Sequence, residues 1–87
     1  MELLKRKELK TAMQPIMSKW MKAQRQSLDF SQEQMARQYG MSVRSYIDLE
    51  HGVNFPSAAT FAQLLTSLNS DDARKMLAEL KAAADPN

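Results

Sequence analysis

Two glycines and the short segments that precede them constrain the fold of this chain most strongly. Glycine occurs at only two of the 87 positions, Gly40 and Gly52, and each closes a segment with helical periodicity. Ser31 opens the first segment, with Gln34 three positions later in a capping-box pattern, and Ser42 opens the second. The pattern predicts two helices of about nine residues, joined so tightly that they must cross at a steep angle.

The rest of the chain is also predicted to be helical. Apolar residues recur three or four positions apart, and long alternating β-branched runs are absent. Pro15 interrupts the first helical stretch, where we expect a kink or a break because proline cannot donate a backbone hydrogen bond. The sequence thus predicts an all-α chain with five helices: a basic amphipathic extension over residues 1–14, a domain over residues 15–69 and a C-terminal helix over residues 70–87, capped by Ser70.

The last helix has an apolar stripe that needs cover. The stripe consists of Met76, Leu77 and Leu80. The other helices are predicted to close around a core of Leu28, Leu49, Phe61 and Leu64, with most methionines as filler and Trp20 in the core or in a dimer interface. Two alternatives remain open for the stripe. It pairs with a second subunit in a homodimer, or it packs on the chain's own N-terminal segment through Leu3, Leu4 and Leu9.

Composition argues against several function classes. The chain has no cysteine and one histidine, and it has no glycine-rich phosphate loop and no carboxylate pair with metal-binding spacing. We therefore expect no enzyme activity, no cofactor and no metal site. No continuous apolar run follows the basic residues Lys5, Arg6 and Lys7, so neither a signal peptide nor a membrane span is predicted. A cytoplasmic protein is expected.

Charge is distributed unevenly along the chain. Residues 1–25 hold seven Lys or Arg and two Glu, a balance of +5, whereas residues 26–87 hold five Lys or Arg and eight Asp or Glu, a balance of −3. This asymmetry favours a basic arm that meets an anion, and the alternative is a helix face that is merely solvated.

The third predicted helix, residues 42–51, has two chemically different sides. A helical wheel places Tyr46, Leu49 and Glu50 on one side, which suits a core. The other side carries Arg44, Ile47, Asp48 and His51. Such a mixed face is suited to reading base edges, because arginine forks onto guanine, isoleucine touches a thymine methyl group and aspartate accepts from cytosine.

The stretch from Met17 to Leu68 resembles the Cro/phage-repressor helix-turn-helix family, also called the XRE family. The matching features, in chain order, are Arg25, Phe30-Ser31-Gln32-Glu33, Met35-Ala36, Gly40-Met41-Ser42, Tyr46, Leu49-Glu50, Gly52, Pro56 and Phe61. The resemblance implies a repressor-like DNA-binding domain whose second and third helices form the helix-turn-helix, with the third helix in the major groove of double-stranded DNA.

The resemblance and the wheel together assign roles to individual residues. Base contacts are expected from Val43, Arg44, Ile47 and Asp48. Phosphate contacts are expected from Ser31, Gln32, Ser42, His51 and Asn54. The resemblance also implies a structural ion pair between Arg25 and Glu50, which explains why a charged residue lies on the inward side of the third helix.

One departure from the family pattern concerns charge. Between Ser31 and Pro56 there are two basic and three acidic residues, so this segment alone is expected to bind DNA weakly. Dimerisation and the basic arm (Lys5, Arg6, Lys7, Lys10) are the two features expected to offset the deficit. The leading hypothesis is a sequence-specific DNA-binding regulator that acts as a homodimer. The second is a protein-interaction module, such as an antirepressor, an antitoxin or an accessory factor.

Overall fold

Five α-helices make up most of the computed structural model, which describes residues 4–85. They are α1 (Arg6–Ser27), α2 (Gln32–Tyr39), α3 (Val43–Glu50), α4 (Ala58–Ser67) and α5 (Ser70–Ala84). No strand occurs among the described residues, which confirms the predicted all-α class with five helices. None of these helices is both long and apolar enough to cross a membrane.

Helix α1 stays helical through Pro15, so the break predicted there is wrong. Proline removes one backbone hydrogen bond, but tertiary packing holds the helix on both sides of it. Met13 and Ile16, on the two sides of the proline, are packed against the core. Met17 and Met21 are buried one and two turns after Met13. Arg6, Lys7 and Lys10 therefore belong to the same helix as Arg25, and Lys5 immediately precedes it.

Side-chain caps begin the other four helices. The hydroxyl groups of Ser31, Ser42 and Ser57 each accept a hydrogen bond from the backbone N–H three residues later. Helix α5 is capped by Asn69 and not by Ser70, which corrects the predicted boundary. Starting the helix one residue earlier adds the backbone bond from Ala73 N–H to the Asn69 carbonyl oxygen, at 2.9 Å.

The core lies between α1 and the four shorter helices. Its largest fully buried side chains are Met17, Met21, Tyr46, Leu64 and Met76. Methionine thus fills much of the interior, as the spacing predicts. Leu28 is 49% exposed and does not belong to this core, contrary to prediction. The reason is local, because α1 has ended there and the next residue, Asp29, turns the chain with a φ of 55°.

Helix α5 packs on α1 of its own chain. Met76 and Leu80 are buried in the core. At the edge of the contact, Glu79 accepts hydrogen bonds from the Trp20 indole, at 2.5 Å, and from Lys19. Met76 and Leu80 of the predicted stripe are thus covered within one chain, whereas Leu77 remains 45% exposed. Of the N-terminal leucines predicted to give this cover, Leu3 lies outside the described residues.

Replacing Gly40 by alanine is expected to lower the free energy of unfolding by about 1–2 kcal/mol, because its φ of 71° is left-handed. No atom lies within 4 Å of the added methyl group, so backbone strain is the whole cost. Urea denaturation measures it. The control is Gln38→Ala on the exposed surface of α2, which is expected to change stability by less than about 0.5 kcal/mol. Equal effects of the two substitutions would contradict the prediction.

Candidate nucleic-acid interface

A three-residue turn, residues 40–42, joins α2 to α3. Gly40 adopts the left-handed conformation and its N–H donates to the carbonyl oxygen of Arg37 at 3.1 Å. The N–H of Met41 donates to the carbonyl oxygen of Ala36 at 3.0 Å. These two bonds satisfy the last carbonyls of α2, and Ser42 immediately caps α3. The turn therefore fixes the angle between the two helices.

Helix α3 divides into a buried side and an exposed side. Tyr46, Leu49 and Glu50 are buried. On the opposite side the side chain of Arg44 is 86% exposed. Around Arg44 lie Ser42, Val43 and His51, which are exposed, and Ile47 and Asp48, which are half-buried. All four residues predicted to contact bases thus lie on one accessible surface, which we call the α3 face (Val43, Arg44, Ile47, Asp48).

An ion pair between Arg25 and Glu50 fixes α3 against α1. The Arg25 Nε lies 2.6 Å from Glu50 Oε2, and its Nη2 lies 3.2 Å from Oε1. A third Arg25 donor, Nη1, binds the carbonyl oxygen of Phe30 at 3.1 Å. Gln32 at the start of α2 donates to Glu50 Oε1 at 3.3 Å. One carboxylate therefore joins three helices beneath the α3 face.

The environment of Glu50 has opposing effects on its pKa. Burial raises the pKa, but the hydrogen bonds from Arg25, Tyr46 and Gln32 favour the charged form, and the net result is a pKa below the ordinary value of 4.5. The same bond raises the pKa of Arg25, although burial opposes it. Both groups are consequently charged at neutral pH, and the pair is an ionic tie between α1 and α3.

Two of the predicted phosphate contacts have side chains that already act as caps. The Ser31 hydroxyl accepts a hydrogen bond from the Gln34 N–H at 3.1 Å, and the Ser31 N–H donates to Gln34 Oε1 at 2.8 Å. The Ser42 hydroxyl accepts from the Ser45 N–H at 3.1 Å and donates to the Ser45 hydroxyl at 2.9 Å. Because these hydroxyl groups are already used as caps, an anion at either helix start would bind the free backbone N–H groups.

Asp48 contacts both Arg44 and the loop after α3. Its carboxylate lies 3.5 Å from the Arg44 Nε, one helical turn away. Its backbone carbonyl oxygen accepts from the N–H of Val53 at 2.9 Å and from that of Asn54 at 3.4 Å. The residue thus orients the Arg44 side chain and holds the loop after α3, on which Asn54 is exposed.

A buried polar cluster beneath α2 and α3 was missed by sequence reasoning. The Tyr39 hydroxyl donates to Gln24 Oε1 at 2.5 Å, and the Gln24 amide donates to the Ser67 hydroxyl. The Tyr46 hydroxyl donates to the Met21 carbonyl oxygen at 3.3 Å, and the two tyrosine rings stack with centroids 6.0 Å apart. One signal was present, since Gln24 continues the spacing of Met17 and Met21 on the buried side of α1.

Burial also affects the tyrosine hydroxyls of this cluster. It raises the pKa of Tyr39 to about 12, despite the hydrogen bond with Gln24, and it raises the pKa of Tyr46 further. Both hydroxyls remain protonated donors at neutral pH. The cluster therefore holds α1, α2, α3 and α4 together without a titrating group.

The geometry of the turn and of the Arg25–Glu50 pair agrees with a comparison of sequences. A sequence model described as helix-turn-helix matches residues 21–73, which is more than half of the chain. The chain belongs to the XRE-type helix-turn-helix family. This is a family of DNA-binding regulatory domains and not of enzymes. Searches of curated proteins and of solved structures returned no match.

Two parts of the chain lie outside the matched XRE-type segment. The first 15 residues of α1 precede it, and most of α5 follows it. Because α1 is continuous, its N-terminal part runs alongside the XRE-type domain and forms one wall of a groove of about 620 Å³. Lys7 and Lys10 line this groove opposite Ser45 and Asn54. The basic extension therefore lies next to α3 and the loop that follows it.

Proposed function

We propose that this XRE-type domain is a sequence-specific DNA-binding transcriptional regulator of prokaryotic or phage type. It acts in the cytoplasm as a homodimer on an inverted repeat, with α3 in the major groove. The observation that carries the proposal is the division of α3. Its inner side is fully packed and ion-paired, whereas the Arg44 side chain opposite is 86% exposed and has no structural task beyond its contact with Asp48.

In this proposal the α3 face reads base edges. Arg44 donates two hydrogen bonds to a guanine, the commonest specific contact between proteins and DNA. Asp48 either orients the Arg44 guanidinium or accepts from a cytosine amine. Val43 is exposed at the first helical position and Ile47 is half-buried one turn later, and both meet thymine methyl groups.

Backbone phosphates are met at the two helix starts and beyond the end of α3. The first turns of α2 and α3, next to Gln32 and Ser42, have backbone N–H groups without an acceptor inside the helix, and the helix dipole favours an anion there. Gln32 has its amide on Glu50, so it links the phosphate contact to the position of α3. His51 and Asn54 are exposed near the end of α3 and supply further phosphate contacts.

Two arguments support the homodimer. The α3 helix has eight residues, so one copy reads only a few base pairs. The segment between Ser31 and Pro56 also has more acidic than basic residues, so one copy neutralises few phosphates. A two-fold symmetric dimer doubles both kinds of contact and matches an inverted repeat.

A selection from fragmented genomic DNA tests this proposal. The purified protein is incubated with the fragments at a low and at a moderate salt concentration, and the bound fragments are sequenced. The proposal expects enriched fragments that share an inverted repeat, with enrichment surviving at the higher salt concentration. It is wrong if no sequence is enriched over the input at either concentration.

The basic extension is expected to add phosphate contacts, because Lys7 and Lys10 lie across the groove from Asn54. The double substitution Lys7→Gln/Lys10→Gln is expected to reduce the slope of log K against log[salt] by about 2, since each neutralised phosphate contributes roughly 0.9. Fluorescence anisotropy with duplex DNA measures the slope. The matched control is Arg74→Gln/Lys75→Gln on the exposed surface of α5, which removes the same charge. Equal slopes for the two variants would exclude the extension from the DNA interface.

A protein-interaction module is the second candidate, and one observation favours it. Val53 is 62% exposed directly after α3, next to the half-buried Phe55, in a segment with a surplus of acidic residues. Exposed apolar side chains in an acidic segment suit a protein partner better than a polyanion. If this candidate is right, the selection yields no enriched sequence. Substitution of Arg44 then has no effect on specific DNA binding, because there is none.

A further inference from the structure

We propose that a groove between α1, α4 and α5 binds a linear aliphatic carboxylate, a small amphiphile with an apolar chain and one anionic head. This groove, which we call the α1–α5 groove, does not include the α3 face, although Lys10 also lines the groove that is proposed to meet DNA phosphates. Its apolar lining includes Leu9, Met13, Met17, Phe61, Leu77 and Leu80. The groove encloses about 740 Å³, within the range of small-molecule sites.

The groove leaves apolar side chains open to solvent. Leu77 is 45% exposed, although it follows the fully buried Met76 on α5. Leu9, Met13 and Phe61 are half-buried on the opposite walls. A concave apolar groove between three helices, with a few polar groups at its rim, is the usual form of a small-molecule site. Two of the wall residues are methionines, which adapt to an apolar chain of variable shape.

The charges at the groove specify the head group. Three charged residues line it, namely Arg6, Lys10 and Lys81, and all three are cationic. No carboxylate lines it among residues 4–85. The cations come from both sides of the groove, from α1 and from the end of α5. A ligand that places an apolar chain on the walls and an anion between these cations satisfies both features.

Other occupants fit less well. A second copy of the chain, related by two-fold symmetry, would bring the three cations of one copy close to the same three of the other. A partner helix would need a long surface, because stable protein interfaces bury about 800 Å² per partner. A neutral or cationic amphiphile would leave the three cations unused or would be repelled by them.

Methionine methyl resonances provide a direct test. The full chain is labelled with ¹³C at the methionine methyl groups and titrated with dodecanoate below its micelle concentration. We expect the resonances of Met13 and Met17 to shift, whereas those of Met35 and Met41 stay in place, because neither of these lines the groove. The expected dissociation constant is on the order of 0.1 mM. Dodecyltrimethylammonium, which has the same chain and a cationic head, is expected to bind at least about tenfold more weakly.

Two variants identify the groups responsible. Lys10→Gln/Lys81→Gln is expected to weaken dodecanoate binding by about tenfold, and Arg74→Gln/Lys75→Gln is expected to leave it unchanged. Leu77→Glu places a carboxylate in the groove and is expected to abolish binding. The Leu77 side chain is already about half exposed, so we expect the variant to keep the fold. Circular dichroism measures whether its helix content is unchanged.

Three outcomes would overturn the proposal. The first is the absence of any shift at Met13 and Met17 over the titration. The second is any result showing that charge does not matter. Such a result is equal binding of the anionic and the cationic amphiphile, or dodecanoate binding by Lys10→Gln/Lys81→Gln that equals wild-type binding. The third is a dimer, detected by sedimentation velocity, that becomes a monomer when Leu77 is replaced by glutamate. That result would show that a second copy of the chain occupies the groove. The DNA selection tests the other proposal separately, so failure of one leaves the other standing.

Discussion

Replacing Arg25 by alanine is expected to lower the free energy of unfolding by about 3 kcal/mol, the lower end of the range for breaking a buried ion pair. The substitution removes the cationic partner of the Glu50 carboxylate, whose side chain is 2% exposed, and leaves it with the neutral donors Tyr46 and Gln32. It also leaves the Phe30 carbonyl oxygen without the Arg25 donor. The lower end applies because the Arg25 side chain itself is 17% exposed and water can enter in its place.

Urea denaturation at neutral pH measures this loss. The matched control is Lys19→Ala, which breaks the exposed ion pair with Glu79 and is expected to cost no more than about 1 kcal/mol. A loss below about 1 kcal/mol for Arg25→Ala would show that the buried pair contributes no more to stability than the exposed one.

The same prediction has a pH signature. The pKa of Glu50 in the folded protein is below its ordinary value of 4.5, so the pair stabilises the fold fully above about pH 4.5. That contribution is lost as the pH falls through the folded pKa, because the unfolded state then binds more protons. Wild type is expected to lose stability in this acidic window more steeply than Glu50→Gln. Parallel stability curves for the two proteins would contradict the assignment.

Replacing Arg44 by alanine is expected to reduce affinity for the selected DNA sequence by about 5- to 150-fold, which corresponds to about 1–3 kcal/mol for a bidentate base contact. Affinity for unrelated DNA is expected to fall much less, because non-specific binding loses one cation and no base contact. The variant is expected to fold normally, since the Arg44 side chain is 86% exposed and its pair with Asp48 is a surface contact.

Anisotropy titrations with selected and scrambled duplexes measure the ratio of the two affinities. Arg74→Ala, which removes one exposed cation from α5, serves as the control and is expected to leave that ratio unchanged. If Arg44→Ala weakens both duplexes equally, Arg44 contacts phosphate and does not read a base.

Local sequence signals located most of the helix-turn-helix. Serine caps and left-handed glycines act over three or four residues, so the starts of α2 and α3 and the turn at Gly40 were predictable. The wheel placed Tyr46, Leu49 and Glu50 on one side of α3, and all three are buried. The family resemblance supplied the partner, Arg25, because a cation 25 residues earlier leaves no periodic signal near α3.

What lies outside that segment depended on long-range packing. Pro15 carries a strong local preference to end a helix, yet contacts of Met13 and Met17 with the core keep α1 continuous. Leu28 has the right spacing for a core residue, but the chain turns away there and leaves it exposed.

The sequence by itself determined where α2 and α3 start and which side of α3 is apolar, because caps and periodicity are set by neighbours along the chain. Only the tertiary structure decided that α1 passes alongside α3, that Gln24, Tyr39 and Ser67 form one polar cluster, and that cations from α1 and α5 line one groove. These arrangements join residues far apart in sequence. They depend on how helices pack in three dimensions, which a one-dimensional pattern does not record.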